Sequence, residues 1–165
     1  MDNVDVTLSA PRRELLALAG SGLVALAATG WASSDAAAAE LSGSALRAAE
    51  QTHMRIVKDF CAAWSTLDVN QVGAFFADDA VYRVIETARP TVGRAAILQL
   101  IGTFLQRARK VQFQIHRLYG AGPIVLSERH DHFTSAQGER VFHVAGVFFV
   151  KDGKIAEWTD YVIAA

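Results

Sequence analysis

The sequence predicts an α+β domain in which N-terminal helices close a curved, mixed or antiparallel β-sheet around a pocket. Three observations predict it. The patterned segments run helix, helix, strand, helix and then four strands, and helices gathered early with strands gathered late argue against a doubly wound sheet. Turn residues separate the late strands: Ala136-Gln137-Gly138 joins two of them, and Asp152-Gly153 is a strong hairpin signal. Finally, charges stand inside the apolar β runs between Ile124 and Tyr161. Arg129 and Asp131 are two apart and so share one strand face, and Asp160 ends the last strand. Burying such groups is costly unless they pair with one another. A meander that brings all three to one concave face therefore reads as a site.

In chain order, residues 1–39 read as an export signal. Arg12-Arg13 precede an apolar run through Ala28, and the small residues Ala36–Ala39 precede Glu40. The adjacent arginines are similar to the twin-arginine type. Gly20, Gly22 and Gly30 interrupt the run, which is short for a membrane span, so no stable membrane span is expected. An N-terminal helix packed on the domain or on a partner is the alternative. Export places the protein in the periplasm or outside the cell; without it the location is cytoplasmic.

Residues 40–165 form one domain. Leu41 to Leu67 reads as helix, with Ile56, Phe60, Ala63 and Trp64 on one face. Asp68 breaks it, and Val69 to Phe76 is a second short helix. Asp78-Asp79 is a turn, and Ala80 to Glu86 a strand rich in β-forming residues. Thr87 to Val92, with Pro90, is loop. Ala95 to Leu105 is a third helix with Ile97, Leu98, Ile101 and Leu105 as its buried stripe. Lys110 to Tyr119 alternates Val111, Phe113 and Ile115 against Gln112, Gln114 and His116, and Gly120-Ala121-Gly122-Pro123 turns the chain into the last three strands.

Composition narrows the function. The chain has 165 residues, 52% of them hydrophobic, and a formal charge of −1, so no basic excess exists to hold a nucleic-acid backbone. Cys61 is the single cysteine, which excludes an internal disulfide and a cysteine metal cluster; its setting reads as a buried helix face. None of the five histidines has metal-ligand spacing, and no metal or cofactor is expected. His53 reads as surface, His116 as part of a polar strand face, and His130 and His132 alternate away from Arg129 and Asp131. His143 lies mid-strand and is a candidate to line the pocket. Trp158 reads as a packing and pocket residue.

Several motifs resemble the limonene-1,2-epoxide hydrolase family, within the wider nuclear transport factor 2-like group of cone folds that includes ketosteroid isomerase and SnoaL-type polyketide cyclases. They are Phe75-Phe76-Ala77-Asp78-Asp79, Tyr82, Val92-Gly93-Arg94 and Ser127-Glu128-Arg129-His130-Asp131-His132. They continue with Gly146-Val147-Phe148, Asp152-Gly153-Lys154-Ile155 and Trp158-Thr159-Asp160-Tyr161. The resemblance implies a one-step opening of a small apolar epoxide to a vicinal diol. Asp160 would be the base that takes a proton from water, and Asp131 the acid that protonates the epoxide oxygen. Arg129 would lie between them, and Tyr82 would help hold the water. It also implies a homodimer, which apolar Phe142, Val144 and Phe148 on the open sheet face would support. The sequence departs from the family at Val84, where the family carries a water-holding asparagine. The loop from Tyr82 to Gly93 is one residue longer, and the tail after Tyr161 is short. Glu86, read on the same strand face as Tyr82 and Val84, could substitute or simply reach solvent. An isomerase or cyclase, or a non-catalytic small-molecule-binding cone, stands as the alternative.

Overall fold

The computed structural model describes residues 31–163, with side chains from residue 42. The proposed signal therefore lies outside the described residues up to residue 30, and Trp31 onward is continuous helix. Helix α1 spans Trp31–Ala63, and α2 Val69–Gly73. Strand β1 spans Phe76–Arg83, β2 Thr91–Val92, and helix α3 Arg94–Leu105. Four long strands follow: β3 Ala108–Ala121, β4 Ile124–Ser135, β5 Gly138–Lys151 and β6 Lys154–Val162. They make one six-stranded sheet of order β2-β1-β6-β5-β4-β3. All neighbours are antiparallel except β1 and β6, which run parallel. The predicted α+β class and the meander of β3 to β6 are observed. Among the described residues, no helix is long and apolar enough to cross a membrane.

Register shifts in β1, β3 and at the β5–β6 pair mark irregularities that bend strands, and the sheet curves around α1 and α3. The last hairpin turns at Asp152-Gly153, where both residues have positive φ, 50° and 73°. That is the backbone a two-residue type I′ turn requires and an Asp-Gly pair supplies.

Four local expectations are corrected. The second helix stops at Gly73, because Phe76 is captured by the sheet and pairs with Ile155. Asp78 and Asp79 are not a turn but part of β1, at its irregular stretch, with Asp78 bridging to Arg94 at 2.6 Å. The strand ends at Arg83, not Glu86. Thr91 and Val92 return as an edge strand on Val81 and Tyr82 instead of staying loop. For Phe76, pairing with a strand distant in sequence overrode a local helical pattern.

The core lies between α1, α3 and the concave sheet face. Phe60 is fully buried and meets the rings of Trp64, Phe75, Phe76, Phe148 and Trp158 edge-on, with centroids 5.0–6.2 Å apart. Edge-to-face packing adds to the burial of so much apolar area. Phe60→Ala is expected to cost about 3–5 kcal/mol and lower the melting temperature on the order of 10 °C, as a thermal melt would report.

Phe148 and Val144 belong to this concave side, and Phe142 lines the cavity there, so none of the three sits on the open face as expected. The register explains it: Val144 is opposite Arg129, and Phe142 opposite Asp131. The outer face carries other exposed apolar residues instead, among them Leu126, Phe149 and Tyr161.

Candidate active site

Strand pairing assembles the site. Arg129 and Asp131 project from β4 to the concave side, while Asp160 arrives from β6. Ser127, Gly146 and Asp160 stand in one row across β4, β5 and β6. Arg129 begins one rung along and lays its guanidinium back over that row. Nε donates to Asp131 Oδ1 at 2.8 Å, Nη2 to Asp160 Oδ2 at 2.7 Å, and Nη1 to Ser127 Oγ at 2.9 Å. The Trp158 indole N–H donates to the other Asp160 oxygen at 2.6 Å. Exposure is 0% for Arg129, 3% for Asp131 and 6% for Asp160.

The electrostatics follow from that burial. Loss of water works against the charge on Arg129, but the two carboxylates more than restore it, so it stays a cation. Its guanidinium carbon lies 5.0 Å from the Phe113 ring centre and under 6 Å from Phe148 and Trp158, the range in which aromatic faces attract a cation. Burial pushes the Asp131 carboxyl up to about 6, with Arg129 opposing. Burial pushes Asp160 up as well, while Arg129 and Trp158 pull it back. The two carboxylates differ in their donors: among the described residues Asp160 accepts from Arg129 and from Trp158, Asp131 from Arg129 alone. Hydrogen bonds to the ionised form favour it, so Asp160 is the better held anion and Asp131 the readier acid.

A cavity of about 290 Å³ opens beside both carboxylates. Trp64, Tyr82, Phe113, Phe133 and Phe142 wall it, and Trp158 forms part of its floor. Tyr82 stacks on Trp158 with centroids 4.1 Å apart, and burial together with the nearby Asp160 charge keeps its phenol well above the ordinary range. A phenol so placed is a neutral donor and acceptor at the pocket wall.

The structure brings Arg129, Asp131, Asp160, Tyr82 and Trp158 together, as the sequence predicts. Val84 also lines the cavity, but just past the end of β1 and half exposed at the mouth. Glu86 does not line it: the strand has ended, and the side chain is exposed. His143 does not line it either. It is opposite His130 on the outer face, with ring centroids 4.9 Å apart, and its Nε2 is 3.5 Å from Glu128. His116 reaches His130 on the same side, at 3.0 Å. His53 is part-buried rather than surface, since its ring meets the Gly122 carbonyl at 2.8 Å. Among the described residues no three potential metal ligands converge. Burial pushes the Cys61 thiol up to about 12, which leaves it a small apolar residue.

Ser127, Gly146 and the Trp158 N–H are parts of the site that sequence reasoning did not assign. Ser127 was findable, because it shares the alternation of Arg129 and Asp131. Gly146, a glycine inside a strand, is a recognised sign of close approach.

Known proteins share the sequence pattern and the fold. The profile of the SnoaL-like domain matches residues 57–158. Epoxide hydrolase EphG of Mycobacterium tuberculosis is 36% identical over 108 residues, covering 64% of this chain and 69% of that protein. A solved LEH-like epoxide hydrolase from M. tuberculosis superposes with a TM-score of 0.63 at 31% identity, covering 69% of this chain and 84% of the other. A protein of ketosteroid isomerase-like fold from Catenulispora acidiphila superposes at 0.59 with 24% identity, over 64% and 83% of the chains, and shares the fold.

Proposed function

We propose, since the chain belongs to the SnoaL-like domain family, that it is a cofactor-free epoxide hydrolase of the limonene-1,2-epoxide type. It adds water to a small apolar epoxide in one step and yields a vicinal diol. The observation that carries this reading is one buried guanidinium shared by two carboxylates with unequal hydrogen bonding. Similarity in sequence to an epoxide hydrolase and in structure to a solved LEH-like epoxide hydrolase supports it.

The step divides between the carboxylates. A water oxygen forms the new bond to an epoxide carbon while that carbon's bond to the ring oxygen breaks. Asp160 takes a proton from the water, and Asp131 gives one to the departing oxygen. An epoxide is a poor electrophile until its oxygen is protonated, so the acid is as necessary as the base. Arg129 lets both charge states exist side by side, and the apolar walls suit a substrate without charge. An isomerase or cyclase needs one proton-moving carboxylate; the second, tied to the same guanidinium, favours hydrolysis. Diol formation from a panel of apolar epoxides by the full chain tests the reading, and solvent proton exchange without diol would replace it.

The reaction needs Asp160 ionised and Asp131 protonated. With Asp131 pushed up to about 6, kcat/KM is expected to fall as pH rises through about 6. It falls again in acid as Asp160 gains a proton, and both limbs belong to the coupled set. A rate profile in a constant-ionic-strength buffer checks it; a flat profile from pH 5 to 8 would contradict the assignment.

Val84 supplies no hydrogen bond where the resembling family holds its water. Val84→Asn is therefore expected to raise kcat several-fold by fixing the attacking water more tightly, with KM little changed. Steady-state kinetics of the two proteins would decide.

Export through residues 1–39 and a homodimer belong to the same proposal. The Arg12-Arg13 motif supports the first, and the exposed Leu126, Phe149 and Tyr161 the second. Solution mass and the N-terminal sequence of the secreted protein are their tests.

A further inference from the structure

The guanidinium of Arg129 occupies the place where a side chain at position 146 would be. A Cβ built on Gly146 would run into Arg129 Nη1, and would lie only 2.8 Å from Ser127 Oγ and 2.9 Å from the Phe148 ring. Gly146 is opposite Ser127 on β4 and opposite Asp160 on β6. Its missing side chain thus leaves a slot between the serine and the base, and the guanidinium fills it. Ser127 forms the back of the slot: it is 2% exposed, accepts from Nη1 at 2.9 Å and lies 3.5 Å from the Gly146 carbonyl.

A guanidinium needs acceptors on its different edges to fix its plane. The two carboxylates take Nε and Nη2, and both must change protonation state if they are to act as acid and base. Ser127 is a neutral anchor that does not take part in that proton traffic. Without it, the guanidinium's hydrogen bonds to described side chains would run only to the two groups that react.

We infer that Ser127 and Gly146 are positioning residues, which hold the Arg129 guanidinium in one plane between Asp131 and Asp160 through the catalytic cycle. Neither touches the reacting atoms; both act through Arg129. The inference rests on the reading of the site as an epoxide hydrolase for its kinetic consequence, but not for its structural one.

Kinetics and side-chain NMR of the full chain test it together. Ser127→Ala removes only a hydroxyl and is expected to lower kcat about tenfold with KM within about twofold. Ser127→Thr, which keeps the hydroxyl, should stay within about threefold of wild type. Gly146→Ala should cost at least ~10²-fold, because it displaces the guanidinium from its slot. In ¹H–¹⁵N spectra, wild-type Arg129 should show slowly exchanging Nε–H and Nη–H signals. In Ser127→Ala the Nη1 signals should broaden or vanish while Nε–H, held by Asp131, persists. Unchanged kcat and unchanged Nη signals in Ser127→Ala would overturn the inference even if Gly146→Ala fails to fold, as would equal losses in the Ala and Thr variants. If wild type opens no epoxide, the hydrolase reading fails alone, and the guanidinium signals still decide the positioning.

Discussion

Asp160→Asn is expected to lower kcat for epoxide opening by at least ~10³-fold, within the range that loss of a positioned base produces. Asparagine has nearly the same shape, and its amide oxygen can still accept from the Trp158 indole. What it cannot do is take a proton from water. The substitution also replaces one of the two carboxyl groups facing Arg129, so the set loses the carboxylate that accepts from both Arg129 and Trp158. Binding should survive, because the cavity walls are apolar and Asp160 is a small part of them. The expected pattern is thus a collapsed kcat with a modest change in affinity for a diol product. An Asp160→Asn enzyme with more than a tenth of wild-type kcat would remove Asp160 from the role of base.

Arg129→Met is expected to destabilise the fold about as much as Phe60→Ala and, unlike it, in a pH-dependent way. Arg129 is wholly buried and bridges Asp131 and Asp160 at 2.8 and 2.7 Å. Removing it leaves two carboxylates facing each other out of water. Breaking a buried ion pair in this way typically costs about 3–5 kcal/mol, which for a domain of this size lowers the melting temperature on the order of 10 °C. The pH dependence fixes the sign. Without the cation, both folded-state carboxyls rise further above their unfolded values, so the folded protein binds more protons than the unfolded one. Stability then falls as pH rises, and the penalty is smallest in acid, where both groups are neutral. Urea melts of wild type and Arg129→Met should converge toward pH 4 and diverge toward pH 8. Parallel curves would mean that the network is not the charge-coupled unit described here. Epoxide opening should be lost in this variant at every pH.

How much of this could be read from the sequence differs residue by residue. Arg129 and Asp131 were legible because alternation on one strand is a local rule, and the placement of Asp160 followed once β4, β5 and β6 were read as an antiparallel meander. The Asp152-Gly153 turn was legible because its backbone demands such residues. His143 was misplaced because its facing depends on register: it is opposite His130, so it must share the outer side with that residue. Glu86 was misplaced because β1 ends where Thr91 and Val92 fold back onto it, a pairing set by residues on both sides of the loop. Phe76 looked helical within the run Val72, Phe75, Phe76, yet its pairing with Ile155 is nearly 80 residues distant in sequence. Gly146 is the clearest case. Its meaning appears only when the Arg129 side chain from the neighbouring strand is laid across it.

The most direct test of the one-step mechanism is a single turnover in ¹⁸O-labelled water, with enzyme in excess over a small apolar epoxide. If Asp160 activates water and no covalent intermediate forms, the diol from the first turnover carries one labelled oxygen, and the protein's carboxylates carry none. Unlabelled diol with label later appearing in Asp131 or Asp160 would mean that a carboxylate attacks the epoxide itself. That result would contradict the division of the pair into a base and an acid.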